Sequence, residues 1–146
     1  MMKTLAALCA AVLLCCAGLT GLAEGTEEEQ MGMKMWIGET PVEVEWENND
    51  AVEALKGLAA GGLTVTMSMY GGFEQVGPLG QSLPNDDERT VTVSGDIVLY
   101  AGDQIVVFYG SNTWAYTRLG HITDKTPEEM RDLLGRGDVI ITISAE

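Results

Sequence analysis

The chain has 146 residues, with 22 Asp or Glu against 8 Lys or Arg for a formal charge of −14, one His, three Cys and few aromatic residues. That length holds one ordinary domain and not two. With 46% apolar and 21% charged residues it is neither fibrous nor wholly disordered, and its acidity excludes a partner that presents a phosphate backbone, so no nucleic acid is expected.

Residues 1–23 carry Lys3, an apolar run from Leu5 to Ala17, and Gly21-Leu22-Ala23 with small residues at positions −3 and −1 of a break after Ala23. This is the pattern of a cleaved signal peptide, so the mature protein is expected to be secreted or held in the cell envelope. About 13 apolar residues make roughly 20 Å of helix, short of a ~30 Å hydrocarbon core, and no stable membrane span is expected in the mature chain. Cys9, Cys15 and Cys16 all lie in this segment, which leaves no disulfide for the mature protein. A lipid-anchored lipoprotein is the alternative, but Cys15 follows Leu14 and Cys16 follows Cys15, where a lipobox has a small residue. Cleavage removes one Lys and no acid, so all of the acidity belongs to the mature chain, where it favours solubility.

Residues 24–32 are acidic and aperiodic, as in a solvated tether, and the domain is expected over 33–146. Met33–Ile37 and Val42–Trp46 alternate about a turn at Gly38-Glu39-Thr40-Pro41 and predict two antiparallel strands. A helix follows, capped by Asn49 or Asp50 and stopped at Gly61-Gly62. Leu63–Tyr70 alternates again. Gly71–Asp87 then reads as a 17-residue loop, long enough in a compact domain to point to a site. Arg89–Val93, Asp96–Tyr100, Gln104–Tyr109 and Trp114–Ile122 read as strands in series. Thr126-Pro127-Glu128-Glu129 opens a second helix with a capping box, and Val139–Ser144 is the last strand. The sum is a mainly β, closed eight-stranded antiparallel barrel capped by two short α-helices.

Several blocks, among them Tyr70-Gly71-Gly72-Phe73-Glu74-Gln75-Val76-Gly77, Gly95-Asp96-Ile97-Val98-Leu99-Tyr100 and Tyr109-Gly110-Ser111-Asn112-Thr113-Trp114, resemble the small bacterial cyclophilin-like domain proteins over nearly all of Met33–Ser144. The resemblance implies a cyclophilin barrel. It also implies a proline pocket, which in true cyclophilins, the peptidyl-prolyl isomerases, is lined by an Arg, a Phe, a Gln, a Trp and a His. With Gly72-Phe73 set on the family's Pro-Gly-Phe block, Phe73 matches the Phe, Ser68 stands at the Arg position and Val76 at the Gln position; with Leu119-Gly120-His121-Ile122 set on its Phe-Gly-Lys-Val block, Tyr116 stands at the His position. The donors that would stabilise a twisted amide are missing. Arg118 is the one candidate substitute, and no other catalytic residue is identified.

No metal is expected, because a single His and no mature Cys exclude the usual zinc sites and Asp86-Asp87-Glu88 lacks the spacing of a calcium loop. No Gly-rich phosphate cradle is present and no cofactor is expected. What stands out is a set of amphipathic residues near loop mouths: Tyr70 and Phe73, Tyr109 and Asn112, then Trp114, Tyr116 and Arg118, which share parity along one strand and so one face. Arginine beside aromatics suits a peptide carbonyl, a carboxylate or a planar ligand. The expected function is an exported module binding an extended peptide or small ligand in a groove. The alternative is a peptidyl-prolyl isomerase with altered residues that assists folding of exported proteins, and the oligomeric state is left open.

The export reading predicts a mature protein that begins at Glu24 and carries no lipid. Intact-mass spectrometry of secreted material checks it; a diacylglyceryl group on Cys15 or Cys16, or retention of residues 1–23, contradicts it.

Overall fold

The computed structural model describes residues 32–146. The export segment 1–23 with its three cysteines, and all but the last residue of the tether, lie outside the described residues. The described chain is mainly β. Its order is β1 (Met33–Ile37), β2 (Thr40–Val42), β3 (Val44–Trp46), α1 (Asp50–Leu58), β4 (Leu63–Thr66), β5 (Ser68–Tyr70), β6 (Glu74–Pro78), β7 (Glu88–Val91), β8 (Asp96–Tyr100), β9 (Gln104–Phe108), β10 (Thr113–Ile122), α2 (Pro127–Leu134) and β11 (Ile140–Ala145). Asn49 caps α1 by accepting from Val52 N at 2.9 Å. Thr126 and Glu129 form the reciprocal capping box of α2.

All pairings are antiparallel and fall into two sheets. One has the order β2-β1-β11-β4; the other runs β3-β10-β8-β9-β6-β5, with β7 also on β10. The expected closed eight-stranded barrel is corrected on two counts: neither sheet closes on itself, and the described residues form eleven short strands. The runs expected as single strands at 42–46 and 63–70 are each bent at one residue, Glu43 and Met67, where the chain leaves one sheet and enters the other. At the bends the backbone finds partners off the ladder. Glu43 N donates to Asp124 Oδ1 at 3.0 Å, Thr123 N to Glu43 O at 2.9 Å, and Met67 N to Val139 O at 2.9 Å. A glycine stands beside each bend. A Cβ on Gly77 of β6 would lie 2.6 Å from Thr66 O, and one on Gly120 of β10 would lie 2.9 Å from Glu45 O.

The third departure is β6, which lies within the segment expected as a 17-residue loop. Glu, Gly and Pro are poor strand formers. Pairing on both sides makes them a strand nonetheless, with β5 (Ser68↔Val76, Tyr70↔Glu74) and with β9 (Glu74↔Phe108, Val76↔Val106).

The main core lies on the inner face of the large sheet. Ile97, Leu99, Ile105 and Val107 meet Met35, Ile37, Val65, Ile141 and Ile143 there, with α1 (Val52, Leu55) and α2 (Met130, Leu134) completing it. Alternation sends Val98, Val106 and Phe108 to the outer face, where they form a second, smaller cluster with Tyr116, against which Phe73 and Val76 pack. The continuous apolar runs Ile97-Val98-Leu99 and Ile105-Val106-Val107-Phe108 are the sequence mark of this two-faced burial.

Close passage at Gly77 predicts that Gly77→Ala overpacks the bend and lowers stability by about 1–3 kcal/mol or more. Gly57→Ala, on the exposed side of α1 with nothing within 4 Å of its Cβ, raises stability by about 0.5–1 kcal/mol. Urea unfolding of both variants checks this; a Gly77→Ala variant at least as stable as the parent would contradict the close passage.

Candidate functional site

On the outer face of the large sheet lies a pocket of about 480 Å³ lined by Tyr70, Phe73, Glu74, Val76, Tyr100, Gln104, Asn112, Trp114 and Tyr116. Its Phe73 corner is built by a tight turn. Gly71 and Gly72 both take positive φ (65° and 74°), and Phe73 N donates to Tyr70 O at 3.3 Å. The bare Cα of Gly71 lets the Phe73 ring fold over it, since a Cβ there would sit 2.2 Å from Phe73 Cε2. Phe73 O accepts from both Tyr109 N and Gly110 N at 2.9 Å, which fixes the turn to the end of β9.

Tyr116 stands at the centre. Its ring meets Phe108 edge-on at 5.7 Å and Tyr100 at 6.1 Å, and Asn112 Nδ2 donates to its hydroxyl at 2.9 Å. Asn112 is held in turn by Thr92, whose N donates to Asn112 O at 2.9 Å and whose Oγ1 accepts from Asn112 N at 3.0 Å. Tyr70 and Phe73 meet edge to face at 6.1 Å. Trp114 and Tyr70 are 55% and 63% exposed, unusually open for large aromatic rings.

Five of the seven residues singled out from the sequence, Tyr70, Phe73, Asn112, Trp114 and Tyr116, therefore line one pocket. Tyr109 does not. It is buried in the main core, its ring beside Gly135 at the end of α2. Arg118 keeps the parity of Trp114 and Tyr116 but is drawn off to a neighbouring cleft of about 420 Å³, where it lies with Glu47, Asn49, Asp50, Asp86 and Glu88. Its guanidinium donates to Asp96 Oδ2 at 3.3 Å and to Val91 O at 3.2 Å. Tyr116 lines both cavities. The lone His121 is placed on Asp96 Oδ1 at 2.8 Å, away from either pocket lining.

Glu74, not anticipated as a site residue, is the most unusual group present. Gln75 turns inward, donating through Nε2 to Leu134 O at 2.8 Å and Gly137 O at 2.7 Å, so alternation turns Glu74 and Val76 outward into the pocket. Glu74 is 7% exposed, and its Oε1 is buried with no hydrogen-bond partner. Burial pushes its carboxyl up from an ordinary 4.5 to about 7. The Tyr116 phenol is raised too, first by its own burial, with Asn112 opposing and the Glu74 charge adding to the rise. Asp96 makes the contrast. Buried more deeply still, at 3% exposure on the same sheet, it is met by Arg118, His121 and Val93 N. A buried carboxylate without partners is costly and is concentrated at functional positions. Its signal in the sequence is a Glu two residues before an apolar Val76 in a segment that pairs on both sides, visible only once β6 is recognised as a strand.

Among the described residues no group of three or more His, Cys, Asp or Glu is placed to hold a metal ion, and no helix is long and apolar enough to cross a membrane.

A family model described as the cyclophilin-like family matches residues 35–144. The solution structure of a hypothetical protein from Archaeoglobus fulgidus aligns with a TM-score of 0.60 at 15% identity, covering 78% of this chain and 93% of that one. That likeness is one of fold. No curated protein matches the chain.

The raised Glu74 value makes stability depend on pH with a definite sign. The proton binds the folded state more tightly than the unfolded one, so this contribution is present below pH 4.5 and is lost as pH rises through about 7. The loss amounts to roughly 3 kcal/mol by pH ~8. Glu74→Gln copies the shape of the protonated acid, so urea midpoints of parent and variant should coincide near pH 4.5 and separate in the variant's favour above pH 7. A gap independent of pH contradicts the assignment.

Proposed function

The chain belongs to the cyclophilin-like family, and from that premise we propose that it is an exported binding module that holds an extended peptide or small ligand in the pocket on the outer face of its large sheet. The observation that carries this reading is the set of exposed aromatic rings, Trp114 and Tyr70 above all, around a concave site of about 480 Å³. Concave sites walled by aromatics with a few placed polar groups are the usual form of a ligand pocket. Here the polar groups are Glu74, Gln104 and the Asn112–Tyr116 pair. The apolar floor is made by Val76 and the small cluster beneath it.

Isomerase activity is the alternative. Twisting an X–Pro amide meets a barrier of about 18–20 kcal/mol, and a fixed donor is worth roughly 2.7–4 kcal/mol of it. Ser68 and Val76 are opposite each other across β5 and β6, at the positions where the family resemblance sets Arg and Gln, and neither supplies a charged donor. Arg118 is engaged with Asp96 and Val91 O and is not among the residues lining the pocket with Phe73. A binding role without that chemistry fits these residues better.

A proline-peptide isomerisation assay with the mature chain 24–146 is expected to show little acceleration, and Trp114→Ala is expected to weaken every ligand of the pocket. Strong turnover lost in Arg118→Ala overturns the binding reading in favour of a relocated electrophile. Ligands that bind Trp114→Ala as well as the parent show that the groove lies elsewhere.

A further inference from the structure

The pocket joins two features with different demands. Its walls are aromatic, and its buried carboxylate oxygen has no donor. A neutral apolar ligand would satisfy the walls and leave Glu74 unmet. An anion would face the Glu74 charge, and no Lys or Arg lines the pocket. A small metal ion needs several oxygen ligands, and among the described residues no cluster of three supplies them.

An organic ammonium ion meets both demands. Its charge neutralises a carboxylate, and alkyl substituents reduce its hydration so that it accepts an aromatic enclosure. Resting on the groove reading above, we propose that the pocket recognises an alkylated ammonium group, with Glu74 as counter-charge and Tyr70, Phe73, Trp114 and Tyr116 as its aromatic enclosure. The surroundings favour cations further. The adjoining cleft beyond Tyr116 carries Asp86 and Glu88, and the whole chain has a formal charge of −14, so the field draws cations toward this face.

The ammonium is borne either by a small free molecule or by the side chain of a peptide. The same chemistry serves both, and the test separates them. The titratable groups that line the pocket with Glu74 are Tyr70 of β5, Tyr100 of β8 and Tyr116 of β10, and the Glu74 carboxyl, pushed up to about 7 by burial, gains its charge between pH 6 and 8.

Isothermal titration calorimetry on the mature chain 24–146 tests the proposal with choline, with its uncharged carbon isostere 3,3-dimethylbutan-1-ol, and with a tripeptide centred on Nε-trimethyllysine. Choline or the tripeptide should bind at least about ten-fold more tightly than the isostere, and whichever binds better identifies the source. Affinity should rise about ten-fold from pH 6 to pH 8 as Glu74 ionises. Glu74→Gln should abolish both the preference and the pH dependence. Should that variant fail to fold, the pH dependence of the parent alone decides. Equal binding of choline and its isostere, or pH-independent binding of the cation by the parent, overturns the cation assignment and leaves the groove reading intact. No binding of either cation at pH 8 also overturns it, and loss of every other ligand's dependence on Trp114 is the separate result that removes the groove.

Discussion

The large sheet is apolar on both faces, and the described residues cover only one of them fully. Ile97, Leu99, Ile105 and Val107 are buried against the small sheet and the two helices. Val98, Val106 and Phe108 emerge on the other side, where no helix lies among the described residues, and a single hairpin turn and one long strand have to serve. Phe73, clamped by its carbonyl to Tyr109 and Gly110, and Tyr116, held by Asn112, are that cover. These two rings and Val76 close over Val98, Val106 and Phe108 and stop. The space they leave is the pocket, so the site is a consequence of two-sided burial in a sheet with one-sided support.

Glu74 lines the space that this cover leaves. Its strand is fixed by Gln75, which reaches the carbonyls at the end of α2, and by pairing with β5 and β9 on both sides. Freed of those ties, the carboxylate could turn to water; within them it is held at a buried position with an oxygen unpartnered. The same sheet shows that a buried acid can be met: Asp96 has a guanidinium, an imidazole and a backbone amide. Using Arg118 on Asp96 leaves the aromatic pocket with a negative charge and no positive one, and this division of charge between the two cavities gives each its character.

Much of this is legible in the sequence, for physical reasons that also mark where legibility ends. The caps of both helices are local hydrogen-bond chemistry, and Asn49 and Thr126 declare them. The pocket aromatics share one face because β10 alternates, which places Trp114 and Tyr116 together. The bends at Glu43 and Met67 do not interrupt alternation, so two bent strands look like two straight ones, and only the glycines opposite them, Gly77 and Gly120, carry a trace. β6 hides because Glu74-Gln75-Val76-Gly77-Pro78 has the composition of a loop and becomes a strand through neighbours distant in sequence. With β6 hidden, Glu74 could not be assigned a face. The fates of Tyr109 and Arg118 are likewise tertiary: the first fills the core beside Gly135, and the second follows Asp96.

The ionisation of the Glu74 side chain decides the character of the pocket, and carboxyl ¹³C NMR observes it directly. Titration of Glu74 in the free protein should give a midpoint near 7, and saturating tetramethylammonium should move that midpoint down toward the ordinary 4.5. A Glu74 midpoint already near 4.5 in the free protein, unmoved by the cation, would contradict the account.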